Sequence, residues 1–174
     1  MLSNAELIQS LDELEKIYQL STTPRDSKMH AKHALLELCG WIEEAEDYVV
    51  LGCAKKLTDT TLKDLVEEKT KFNSAFHFEK NFVPLLALVI GLTKFEQIKN
   101  KLTNTGIYFS SLVTTINSLK TPRNDHAHTH FESTKLNINN FLTGHAPSSL
   151  KQKANDIYLG FCELERCLKK HRLM

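Results

Sequence analysis

The stretch HALLELCGWIEEAEDYVVLGC, His33 to Cys53, decides how this chain folds. Leu35, Leu38, Cys39, Ile42, Ala45, Val49 and Cys53 recur at steps of three and four, the repeat of one helix face. Glu37, Glu43, Glu44, Glu46 and Asp47 fall mostly elsewhere on the wheel. Thr23 followed by Pro24 supplies a start, because proline at the first helical position gives up an amide that would be unpaired anyway. The spacing therefore predicts one long amphipathic helix from Pro24 to about Lys56. Gly40 and Gly52 each weaken that helix by roughly 1 kcal/mol relative to Ala, which leads us to expect another helix packed closely against both.

The same periodicity extends outward. Ser3 and Glu6 have capping-box spacing, and Leu7, Leu11, Leu14 and Tyr18 continue the pattern, so residues 1–23 form an N-terminal helical extension with its helix from about Asn4 to Leu20. Thr60 to Lys71 reads as a short charged helix. Ala75 to Gly91 is apolar, and Pro84 should kink or split it near Asn81 to Pro84, since an interior proline removes a hydrogen bond and clashes with the preceding turn. Gly91 fits a helix stop. Thr93 to Leu102 and Gly106 to Leu119 follow, the latter carrying Ile107, Val113, Ile116 and Leu119 toward the core, with a strand still open for its first turn. Asn137 to Ser149 has loop composition, and Ser148 or Ser149 can cap a last helix whose face is Ala154, Ile157, Phe161, Leu164 and Leu168. With no alternating strand pattern or internal repeat, the expected fold is a single all-α domain, residues 1–174, built as a bundle of six to eight helices.

Composition narrows the function. A net charge of +1 removes bulk attraction to nucleic acid, so any polyanion site must be a local patch. Cys39, Cys53, Cys162 and Cys167 form no CxxC pair and sit among apolar residues, as reduced core cysteines of a cytoplasmic protein do. The N-terminus does not read as a signal peptide, and the apolar run Phe82 to Leu92 falls short of the ~20 residues that cross a bilayer, so no membrane segment is expected.

One stretch carries chemistry: TPRNDHAHTHF, Thr121 to Phe131, with histidines at 126, 128 and 130. Alternate residues share a face only on a strand, and no HExxH or Cys/His spacing supplies further ligands, so a metal site is not the expected reading. A helix starting with Thr121 as N-cap and Pro122 in its first turn separates the three. With Arg123 at zero, the ~100° step puts His130 near 340°, Asn124 near 100°, His128 near 140° and His126 near 300°. Arg123, Asn124 and His128 then share one side, and Asn124 can reach His128. The helix start offers unpaired amides and Arg123 a planar fork, together a phosphate cradle. His128, with an ordinary pKa near ~6.5, can move a proton at neutral pH.

RNDHAH, Arg123 to His128, resembles the R-x4-6-H motif of the HEPN superfamily (higher eukaryotes and prokaryotes nucleotide-binding), in which a polar residue, often Asn, follows the Arg. The long acidic helix early in the chain agrees, and FHFEKNFVPLLALVIGL resembles the middle of HEPN proteins of the RiboL-PSP type. The resemblance covers roughly Pro24 to the C-terminus. It implies a metal-independent endoribonuclease, a toxin or defence effector without cofactor, working as a homodimer or with a second HEPN chain so that two motifs face one cleft. Arg123, Asn124 and His128 match the family's catalytic positions. HEPN toxins restrained by nucleotidyltransferase partners carry a Tyr four residues after the His, whereas this chain has Glu132, so an antitoxin or regulatory protein would be of another class.

Around the motif, Lys120, His126 and His130 are the expected RNA-binding side chains. Glu43 and Glu44 either brace Arg123 or form a solvated acidic face, and the solvated face is the expectation. Trp41 reads as packing. The rival function is a non-catalytic HEPN-like helical module that binds a nucleotide, RNA or a protein partner.

Overall fold

Thr23 starts the long helix as its sequence indicates: its Oγ1 accepts from the Asp26 amide at 3.1 Å, with Pro24 in the first turn. In this computed structural model the described residues are 2–71, 77–128 and 144–174, the side chains of 127 and 128 excepted. Seven α-helices run through them: α1 Ala5–Gln19, α2 Pro24–Ala54, α3 Thr60–Lys71, α4 Val83–Ile90, α5 Leu92–Thr105, α6 Phe109–His128 and α7 Pro147–Lys170. A π-helical turn, Phe78–Phe82, precedes α4. No strand occurs among the described residues, so the fold is all-α and the strand alternative at Tyr108 is excluded.

The α2 stripe is the spine of the core: Leu35, Leu38, Ile42, Ala45 and Val49 are fully buried. The α7 face Ala154, Ile157, Phe161, Leu164 and Leu168 packs into the same cluster, as do Leu7, Leu11 and Leu14 of α1. The N-terminal helix is therefore part of the core, laid against α2 and α7. A chain of aromatic edges runs from Trp41 through Phe161, Phe82 and Phe78 to Phe109, with ring centroids 6.2, 6.2, 5.0 and 6.3 Å apart. It joins α2, α7, the π-turn and α6 through three edge-to-face contacts and one tilted one.

The prolines and glycines act unequally. Pro84 sits in the first turn of α4, and the π-turn before it absorbs the predicted break. Gly91 ends α4 at φ +86°, a conformation other residues rarely take. At Gly52 the close neighbour is not another helix: a Cβ there would meet the side chain of Met174, beyond the end of α7. At Gly40 there is no close neighbour: nothing lies within 4 Å of a Cβ built there.

Three local expectations are corrected. The Ser3–Glu6 capping box does not form: the N-cap is Asn4, whose side chain is turned away to Asn155 Oδ1 of α7 at 3.2 Å. Neither Ser148 nor Ser149 caps α7. Pro147 begins that helix after Ala146, and Glu15 of α1 accepts from the Ser148 amide at 2.8 Å. Ile107 lies outside α6 and is 78% exposed, while Phe109 and Leu112 take its place in the core beside Ile116 and Leu119. Most of the loop predicted over 137–149, through residue 143, lies outside the described residues. No single helix among the described residues is long and apolar enough to cross a membrane.

Candidate functional site

The helix carrying the motif does not begin at Thr121. α6 runs unbroken from Phe109 to His128 with Pro122 inside it. Proline there removes the amide that would bond the Ser118 carbonyl, a loss that ends many helices. Here the buried row Leu112, Ile116 and Leu119 holds the first half of α6 against α7, and His126 is buried beyond the proline, so packing extends along both halves of the helix. The expected phosphate cradle at a helix N-terminus is therefore overturned: the amides around Arg123 are those of a helix interior.

Arg123 itself is placed by α2. Its Nη2 donates to Glu43 Oε1 at 2.9 Å, with the two side chains 20% and 35% exposed, and its Nη1 donates to Asn124 Oδ1 at 3.3 Å. The acidic face predicted as solvated is thus divided: Glu43 braces the arginine, whereas Glu44 is exposed one position round the helix. Asn124 accepts from its neighbour Arg123, and its expected reach to His128 concerns a side chain outside the described residues. Arg123 has five N–H donors, and two of these contacts occupy it among the described residues.

The surroundings of the pair are acidic and partly dry. Desolvation raises the Glu43 carboxyl above its usual range, and Arg123 only partly offsets that. Asp47, one turn on, is pushed up to about 6 by burial and by the charges of Glu43 and Glu44. Glu46, 5% exposed, is pushed up to about 8 by burial and by Asp47 and Glu43, and its Oε1 meets no hydrogen-bond partner among the described residues. The Cys39 thiol, on the same face of α2, is raised to about 12 by burial, so it is an inert core group. The sequence carried this cluster as spacing: 39, 43, 46 and 47 fall within one sector of the wheel.

The histidines separate further. His126, expected to bind RNA, is 2% exposed, and its pKa is lowered to about 4 by burial and by Lys28, Lys32 and His145. It is an interior neutral imidazole and is withdrawn as a phosphate contact. His128 lies at the last described position of α6, its side chain outside the description, and His130 lies outside the described residues altogether. Lys120, half-buried, comes near His77, the N-cap of the π-turn, whose pKa is lowered by burial and by Lys120 and Lys80. Lys80 thus joins Lys120 and Arg123 as a cation of this region, which the sequence did not single out. Among the described residues no three His, Cys, Asp or Glu side chains are arranged to hold a metal ion.

No family model, curated protein or solved structure matches this chain. The functional reading rests on the residues alone.

Proposed function

We propose that this chain is a metal-independent endoribonuclease of the HEPN type, cleaving RNA in a cleft shared by two motif-bearing subunits and serving as a toxin or defence effector. The observation that carries the reading is the ion pair Arg123–Glu43: a carboxylate on α2 fixes the motif arginine in a half-buried position five residues before His128 on the same helix. In this reading the phosphate is held by side chains, Arg123 with its counterpart from a second subunit, and by Lys120 and Lys80.

The chemistry follows from residue types. His128 takes the proton of a ribose 2'-hydroxyl, the 2'-oxygen attacks phosphorus, and the bond to the 5'-oxygen breaks. The leaving oxygen takes a proton from the imidazolium of either motif, and the products are a 2',3'-cyclic phosphate and a 5'-hydroxyl. Arg123 stabilises the charge that builds on the phosphoryl oxygens. Such an activity calls for restraint by an antitoxin or regulatory protein.

Incubating the protein with mixed RNA in EDTA tests this. We expect cleavage with cyclic phosphate ends, and its loss in Arg123→Ala and His128→Ala proteins that keep their helical content. Activity abolished by EDTA and restored by zinc sinks the proposal. The second reading, a non-catalytic binding module, draws on the same ion pair, because an Arg123 that ties α6 to α2 has a structural use without catalysis. Intact RNA, bound equally well after His128→Ala, would favour it.

A further inference from the structure

About a quarter turn around α2 from Glu43, a groove opens between that helix and the start of α1. It has two lobes, with volumes of about 470 and 310 Å³, that share Glu6, Leu7, Trp41 and Glu44 and so form one continuous depression. Along α2 it spans Leu36 to Tyr48, roughly 18 Å at the helical rise. That is the length of about five or six extended residues.

Three features of its lining point to one kind of occupant. The charged residues are all carboxylates: Glu6, Glu37 and Glu44. Among the described residues Glu37 alone of the three makes an ion-pair contact, with the His33 imidazole at 3.4 Å, one turn back on the same exposed face. Trp41 forms part of both lobes, and its ring is fixed, the Nε1 donating to Ser3 O at 2.9 Å and the ring standing nearly perpendicular to that of Phe161. Gly40 leaves the floor open, with nothing within 4 Å of a Cβ built there. A rigid indole flanked by carboxylates attracts a guanidinium or ammonium over its face, and the same carboxylates repel a phosphate backbone.

We propose that the α1–α2 groove is a docking site for a basic segment of a partner protein, with an Arg or Lys side chain laid on Trp41 between Glu6 and Glu44. The site is separate from the Arg123 region, and its occupant is a protein rather than RNA. Charge complementarity selects the occupant, and the groove length sets its reach at five or six residues if extended or about three turns if helical.

Trp41 is the only tryptophan, so intrinsic fluorescence reports from inside the groove. The full chain is titrated with an unlabelled eight-residue peptide of alternating Arg and Ala, and with its Glu–Ala counterpart. We expect a saturable change with the basic peptide and none with the acidic one. Affinity should fall at least fivefold in the double variant Glu6→Lys, Glu44→Lys, and also in Gly40→Leu, which fills the floor without altering charge. Glu68→Lys, an exposed acid on α3, should bind as the wild type does, and circular dichroism confirms that each variant is folded. The proposal is overturned by the absence of a saturable change, by an equal response to the acidic peptide or to single-stranded RNA, or by Glu68→Lys weakening binding as much as the groove variants. None of these readouts involves RNA cleavage, so failure here leaves the proposed activity untouched.

Discussion

At Glu46 a carboxyl group is buried on α2 with one oxygen lacking a hydrogen-bond partner among the described residues, and its pKa stands near 8. It is thus mostly neutral at pH 7, the cheaper state for a group taken out of water. Between its ordinary value and about 8 the folded chain holds a proton that the unfolded chain has released, so stability is highest below that window and declines as pH rises through it. Asp47 acts in the same direction up to about 6. His126 acts in the opposite sense: its folded pKa of about 4 makes stability decline as pH falls from 6.5 through 4. Urea unfolding of Glu46→Gln should show a gain on the order of 1–3 kcal/mol at alkaline pH and a flatter pH dependence, because a neutral amide replaces a group forced to ionise. An unchanged slope would mean that Glu46 is ionised and hydrated in the folded chain. Glu43 has a different duty. Glu43→Gln keeps the shape and a hydrogen bond to Arg123 while removing the charge, and RNA cleavage should drop about tenfold or more with circular dichroism unchanged. Full activity in that variant would show that the ion pair does not position the arginine.

At the scale of elements, α6 shows where sequence reading succeeds and where it stops. The long α2, the irregularity just before Pro84, met as a change from π-turn to α-helix, the stop at Gly91 and the buried face of α7 were legible because each rests on local spacing or backbone chemistry. Pro122 misled because its local signal, a helix start after Thr121, is overridden by packing that only the assembled bundle supplies. Glu163 was invisible for the same reason. From the middle of α7 its carboxylate accepts from the amides of Ile107, Tyr108 and Phe109 at 2.9, 3.0 and 2.9 Å, taking the place of a cap at the start of α6. The side chains that meet across 54 to 56 residues of chain have no short-range signature. At the candidate site the motif was legible as a pattern, whereas the burial of His126 and the choice of Glu43 over Glu44 depend on how α2 and α6 are set against each other. Two substitutions test this account. Pro122→Ala should stabilise the protein by about 1–2 kcal/mol, since it restores an interior hydrogen bond, against near neutrality if proline merely began a helix. Glu163→Ala should lower stability by about 2–3 kcal/mol by leaving three amides without their acceptor, read as the shift in the urea midpoint at constant slope.

For the whole molecule, the proposed chemistry sets a demand that one chain does not meet: two motifs must share a cleft, and this sequence holds one. A net charge of +1 adds a second constraint, because affinity for RNA must come from a few cations near the motif, doubled by a second subunit. With Arg123, Lys120 and Lys80 contributed by each of two copies, the slope of log affinity against log salt should be no steeper than about −4 for single-stranded RNA. Mixing gives the sharper test. Wild type and Arg123→Ala chains are unfolded together at equal concentrations and refolded so that subunits pair at random. If each chain cleaves alone, activity per total protein falls to about half, and if both arginines are needed in one cleft it falls to about one quarter, the share of dimers with two intact motifs. We expect the quarter, together with specific activity that declines on dilution below the dimer dissociation constant. A result at one half, independent of protein concentration, would assign catalysis to a single chain and remove the main reason for reading Arg123 and His128 as half of a site.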